Sequence, residues 1–106
     1  MRGMIFVLLF SLTLNLYAHE NCTEDLSCSY GLYDTTMTHI ENKSNKDARY
    51  YAKRFQHEAY EFSSICKEKY FEDAKIHTYK RIIKDLRMKE KALFQKGILT
   101  EKVLSK

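Results

Sequence analysis

Apolar residues recur along this chain at three- and four-residue steps with polar residues between them, the period of helices that bury one face. From Ser44 to Gly97 the sequence contains no Pro, and its one Gly closes the stretch. Within it Ala48, Ala52, Phe55, Ala59, Phe62, Cys66 and Tyr70 form one apolar stripe. Tyr79, Ile82, Ile83, Leu86 and Leu93 form a second, rotated from the first. A straight helix keeps a single face, so the rotation predicts a bend or break between Phe71 and Thr78. Ile76-His77-Thr78 sits there, and its two β-branched residues weaken helix locally. Two helices are expected, over about 45–71 and 74–96, with one bent helix as the alternative. Ser44-Asn45-Lys46-Asp47 fits a capping box at the start. Lys96-Gly97-Ile98 fits a helix end: Gly97 takes the left-handed conformation freely and Ile98 folds back on Leu93 or Phe94.

Upstream, Leu26, Tyr30, Tyr33, Met37 and Ile40 make a further stripe and predict a helix over about 24–42. Gly31 within it costs about 1 kcal/mol relative to Ala. The turn at 41–44 is short, so this helix and the next should lie antiparallel as a hairpin. Residues 98–106 read as a tail, either a short helical turn capped by Thr100 or a frayed end. The fold class is therefore all-α: a helical hairpin plus a third helix, folded against it as a small bundle or extended beyond it.

Folding the hairpin about residue 44 sets Cys22 opposite Cys66, both on apolar stripes. Cys28 lies about 200° round the helix from Leu26 and points away. Cys22–Cys66 is the expected bridge, leaving Cys28 free or open to a second chain as an oligomer link. Cys28–Cys66 is the alternative after a small register shift, and Cys22–Cys28 would need a non-helical start.

With 106 residues the chain holds one domain. Residues 1–18 have the layout of a secretory signal peptide: Arg2 supplies the positive start, Met4–Leu16 is mostly apolar, and Ala18 marks the cut. The apolar run is short for a membrane span, and an uncleaved inner-membrane anchor is the alternative. The expected location is thus periplasmic or secreted, with 19–106 as one helical domain. Export gives the cysteines meaning, since disulfides persist in oxidising compartments, and one bridge contributes about 2–4 kcal/mol to so small a core.

The net charge of +4 hides a split: residues 19–74 carry 7 Lys/Arg against 11 Asp/Glu, and 75–106 carry 10 against 3. Lys80, Arg81, Lys84, Arg87, Lys89 and Lys91 read as spread around the last helix. They are either a solvated face or an electrostatic footprint for an acidic protein, an anionic surface or an acidic glycan. Export and the lack of any recognition signature argue against nucleic acid. His19, His39, His57 and His77 include no pair at metal-ligand spacing on a helix, so neither metal nor cofactor is expected. No nucleophile elbow, phosphate-binding loop or carboxylate pair points to an enzyme. Tyr50, Tyr60 and Phe71 fall off the central stripe. They either pack on a neighbouring helix or stand out as partner anchors, and with Lys80, Arg81, Lys84 and Arg87 they are the candidate contact residues.

The segment Arg54-Phe55-Gln56-His57-Glu58-Ala59-Tyr60-Glu61-Phe62-Ser63-Ser64-Ile65-Cys66 resembles the LprI-type family of small secreted bacterial proteins, which carry a Gln, an aromatic and then a Cys after an earlier Cys-bearing helix. Thr78-Tyr79-Lys80-Arg81 with Leu86 is similar to that family's closing helix. Tyr60 stands where the family has Trp, and its later Cys is absent. Some members inhibit lysozyme, so the resemblance implies a lysozyme-inhibitor-like protein with a Cys28–Cys66 bridge. The expectation is an exported, non-enzymatic binding module: an inhibitor of an envelope-attacking enzyme, or an immunity or exclusion factor. A structural or assembly subunit of an envelope apparatus, and a basic helix acting on a membrane surface, are the alternatives.

Overall fold

The structure, a computed structural model, describes residues 22–104. The signal peptide expected over residues 1–18, and His19, lie outside them. The described residues are all-α, with no strand: α1 (Cys22–Glu41), α2 (Asn45–Ile65), α3 (Lys67–Glu72) and α4 (Ile76–Gln95). α1 and α2 pack as a hairpin, and Cys22 is bonded to Cys66 with the Cα atoms 5.8 Å apart. The Cys28–Cys66 pairing is therefore not formed. Cys28 keeps its thiol, on an exposed face.

The stripe on α1 needs correcting. Leu26, Tyr30, Tyr33, Met37 and Ile40 are only partly buried, while the buried line is Cys22, Asp25, Ser29, Leu32 and Thr36. Hydroxyl chemistry explains the difference. Ser29 Oγ donates to the Asp25 carbonyl (2.8 Å) and Thr36 Oγ1 to the Leu32 carbonyl (2.7 Å), so both bury without an unpaired donor. Ser29 and Thr36 on α1 and Ala52 and Ala59 on α2 are all fully buried, and residues so small let two helices approach closely. Leu26, Tyr30 and Tyr33 form the flank instead. Tyr33 meets Phe55 (5.6 Å between centroids), and Lys89 of α4 sits over Tyr33 and Tyr30 at 5.0 and 5.5 Å. Lys89 also pairs with Asp85 at 3.2 Å. Burial, and then the Asp85 carboxylate, push the Tyr30 phenol above its ordinary range.

The helix expected over 45–71 is two helices, broken at Cys66. The disulfide tethers that residue to α1, and Ser63 Oγ bonds back to the Tyr60 carbonyl at 2.7 Å. The Ser63 carbonyl itself accepts from the Tyr79 hydroxyl at 2.6 Å, which ties the break to α4. Tyr70 of the short α3 then meets Phe62 edge-on and Tyr79 at a tilt, while Phe62 and Tyr79 stack, all with centroids 5.8–6.1 Å apart. These three rings join α2, α3 and α4 into one core.

Ser44 precedes α2, yet its side chain makes no capping bond, so the capping box is not formed. The backbone closes the turn instead. The Ser44 N–H bonds the His39 carbonyl (2.8 Å) and the Lys43 N–H bonds Ile40 (3.0 Å), with Lys43 at φ 60°. This paired pattern is a Schellman turn. It recurs after α3, with Ala74 at φ 56°, and after α4, with Gly97 at φ 76°. At the last, the Ile98 N–H reaches Leu93 (3.0 Å) as the sequence predicts, and Ile98 is buried.

The tail neither forms a helical turn nor frays within the described residues. Ile98, Leu99 and Leu104 are buried, and the strap is held by a side chain the apolar pattern passes over. Glu90 is fully buried in α4. Its carboxylate accepts the Val103 N–H (2.9 Å), the Leu104 N–H (3.1 and 3.2 Å) and Gln56 Nε2 (2.7 Å). Gln56 also donates to the Glu101 carbonyl (3.0 Å), and Arg87 Nε to that of Leu104 (2.7 Å).

Candidate binding groove

The returning strap leaves a groove of about 820 Å³ between α4, the end of α2 and residues 103–104. Its apolar lining comes from Ile76, Tyr79, Ile83, Leu86, Val103 and Leu104. Leu86 and Tyr79 belong to the buried core, while Ile76 and Ile83 are half-covered. Around this floor stand Lys67, Lys80, Lys84, Arg87 and Lys91, all exposed, with no carboxylate among the lining residues. None of the five takes part in an ion pair among the described residues. Tyr60 and Met88 complete the wall and are 52% and 62% exposed.

The basic residues of α4 are thus sorted, and not evenly spread as the sequence suggested. Lys80, Lys84, Arg87 and Lys91 follow one another at steps of 4, 3 and 4, which places them on one face along the groove. Lys89 turns to the α1 tyrosines instead. Arg81 does not line the groove.

Four of the candidate contact residues are therefore brought together: Tyr60, Lys80, Lys84 and Arg87. Tyr50 and Phe71 are exposed (58% and 65%) but lie elsewhere. Tyr50 stands edge-on to Tyr51 with Arg54 over its ring at 5.8 Å. Sequence reasoning passed over Lys67 and Met88. Lys67 opens α3, just past a break at Cys66 that has no local mark in the sequence. Lys91 was legible as the next step of the 4-3-4 series.

A smaller hollow of about 380 Å³ lies on the other side of Tyr60 and Val103, lined by Lys53, Gln56 and His57. His57 Nε2 faces Glu61 at 3.0 Å. Among the described residues no three His, Cys, Asp or Glu side chains gather as a metal site. Burial, and then the Glu58 carboxylate, raise the Cys28 thiol above its ordinary value, so its thiolate is scarce at neutral pH. No helix of the described residues is long and apolar enough to cross a membrane.

No protein-family model matches this chain, and neither a curated protein nor a solved structure gives a significant match.

Proposed function

We propose that this protein is an exported, non-enzymatic binding module that takes a protein partner along the α4 groove. The observation that carries the reading is the groove's make-up: an apolar floor, five exposed cations and no carboxylate. Cations so placed, with no carboxylate lining the groove, leave favourable energy for an anionic partner to collect, and the floor supplies the apolar area that holds it. The concave floor favours a partner that inserts side chains over a flat membrane surface. The Cys22–Cys66 bridge suits an oxidising compartment, in keeping with export. Inhibition of an envelope-attacking enzyme, which the LprI-type resemblance implies, is one form such binding takes; an immunity or exclusion role is another.

A photo-crosslinking residue at Met88 tests the reading in cells that export the protein. A discrete adduct is expected from Met88 and not from Lys46, in the first turn of α2. It should be competed by the unlabelled protein and lost in a Lys80→Glu, Lys84→Glu variant. Absence of a Met88-specific adduct would remove the groove as a partner site. For the inhibitor form, one-to-one slowing of a lysozyme in a wall-lysis assay is expected, and the same double variant should abolish it.

A further inference from the structure

We infer that the groove's occupant is an acidic amphipathic helix laid along α4. The inference rests on the protein-partner reading above and specifies its chemistry. Lys80, Lys84, Arg87 and Lys91 run in one line at steps of 4, 3 and 4. At the usual helical rise, that line spans about 16 Å. One anionic head group, such as that of a fatty acid, meets one or two of these cations and leaves the rest unmatched. A helix with a carboxylate every third or fourth residue repeats at the same interval, about 5–6 Å, as the cations it faces. Its apolar stripe then lies on Ile76, Ile83, Val103 and Leu104.

The strap decides between a helical and an extended occupant. A peptide that joins as a strand needs free backbone groups on the groove wall. Most of those on the strap's groove residues are taken: Glu90 accepts the Val103 and Leu104 N–H groups, and Arg87 donates to the Leu104 carbonyl, so no continuous ladder is on offer. A helix satisfies its own backbone and asks the wall only for side-chain contact. Helix-in-groove recognition is the mode this wall favours.

The test uses a designed peptide of about 18 residues, with Leu at i, i+3, i+4 and i+7 and Glu on both flanks. A scramble of the same composition, a version with Lys for Glu, palmitate and anionic phosphatidylglycerol vesicles are the comparison probes. Fluorescence anisotropy should show the acidic amphipathic peptide binding the intact protein about tenfold or more tightly than the scramble or the Lys version, and weakening as salt rises. Circular dichroism should show helix gained on binding. Lys80→Glu with Lys84→Glu should cost tenfold or more in affinity with the melting temperature unchanged, since both lysines are exposed; Arg81→Glu should cost little. Equal binding of the scramble, or binding of palmitate or vesicles in its place, overturns the inference. If the Met88 adduct persists while the acidic peptide fails, the occupant's chemistry is wrong and the binding-module reading stands. If the adduct is also missing, both fall.

Discussion

Glu90 carries more of the tertiary structure than any other single polar side chain among the described residues, because one carboxylate receives two backbone N–H groups and the Gln56 amide. Glu90→Ala leaves the Val103 and Leu104 N–H groups without their acceptor and Gln56 with the Glu101 carbonyl alone. Hydrogen bonds to a charged group are worth about 1.5–3 kcal/mol each, partly recovered from water as the strap opens, so a loss of about 3 kcal/mol in urea unfolding is expected. Hydrogen exchange at Val103 and Leu104 should quicken in the same variant. Tyr79 works at the same scale. Burial lifts its phenol above the ordinary 10.0, against a smaller downward pull from Arg87. A folded value above the unfolded one means that the native state holds the proton more tightly. The stability from Tyr79 is then fully present below about pH 10 and is lost as pH rises through the higher native value. The urea midpoint should fall between pH 8 and pH 10.5, and Tyr79→Phe should fall less over that window. At pH 8 Tyr79→Phe should cost about 1 kcal/mol, for the bond to the Ser63 carbonyl.

At the scale of elements, three helices end in the same backbone turn but only one of those turns has its glycine. Gly97 announced the end of α4 because a left-handed residue without a Cβ is its ordinary mark. Lys43 and Ala74 adopt the same conformation against a steric cost that the neighbouring helices must meet. Ala74→Gly is accordingly expected to stabilise the protein by about 0.5–1 kcal/mol, the relief of strain exceeding the entropy gained by the unfolded chain. A higher melting temperature with unchanged helix content would bear this out; a lower one would show the turn unstrained. The break between the stripes was legible near Phe71–Thr78 because two faces cannot share one straight helix. The break at Cys66 was not. Cys66 continues the apolar stripe of α2, and what interrupts the helix is a bond to α1 and a tyrosine from α4.

For the whole molecule, the disulfide closes the hairpin across a separation of 44 residues. In the chain-entropy account a loop of that size contributes about 4 kcal/mol. Cys22→Ala with Cys66→Ala should lower stability by about 2–4 kcal/mol, while Cys28→Ala, at an exposed position, should leave it nearly unchanged. Thermal melts of the three proteins side by side measure both. The groove also belongs to this scale, since α2, α3, α4 and the strap each give it a wall. Of its candidate residues, the sequence marked Tyr60, Lys80, Lys84 and Arg87 by their place off the core stripe and by charge. It could not tell that these face one hollow while Tyr50, Phe71 and Arg81 do not.

The sequence by itself determined the all-α class, the order of the long helices and the hairpin, and it favoured Cys22–Cys66 among the cysteine pairings. Those follow from local period, from a short turn and from the register that the turn imposes. Only the tertiary structure decided which face of α1 is buried, where the tail goes and that a groove exists. Hydrophobicity alone points to Tyr30 and Tyr33, but small size and back-bonded hydroxyls let Ser29 and Thr36 take the interface. Glu90 looks like any surface carboxylate until Gln56, from a helix 34 residues earlier, and the N–H groups of the returning strap surround it. A buried charge is stable only among its partners, and those partners are far away in sequence.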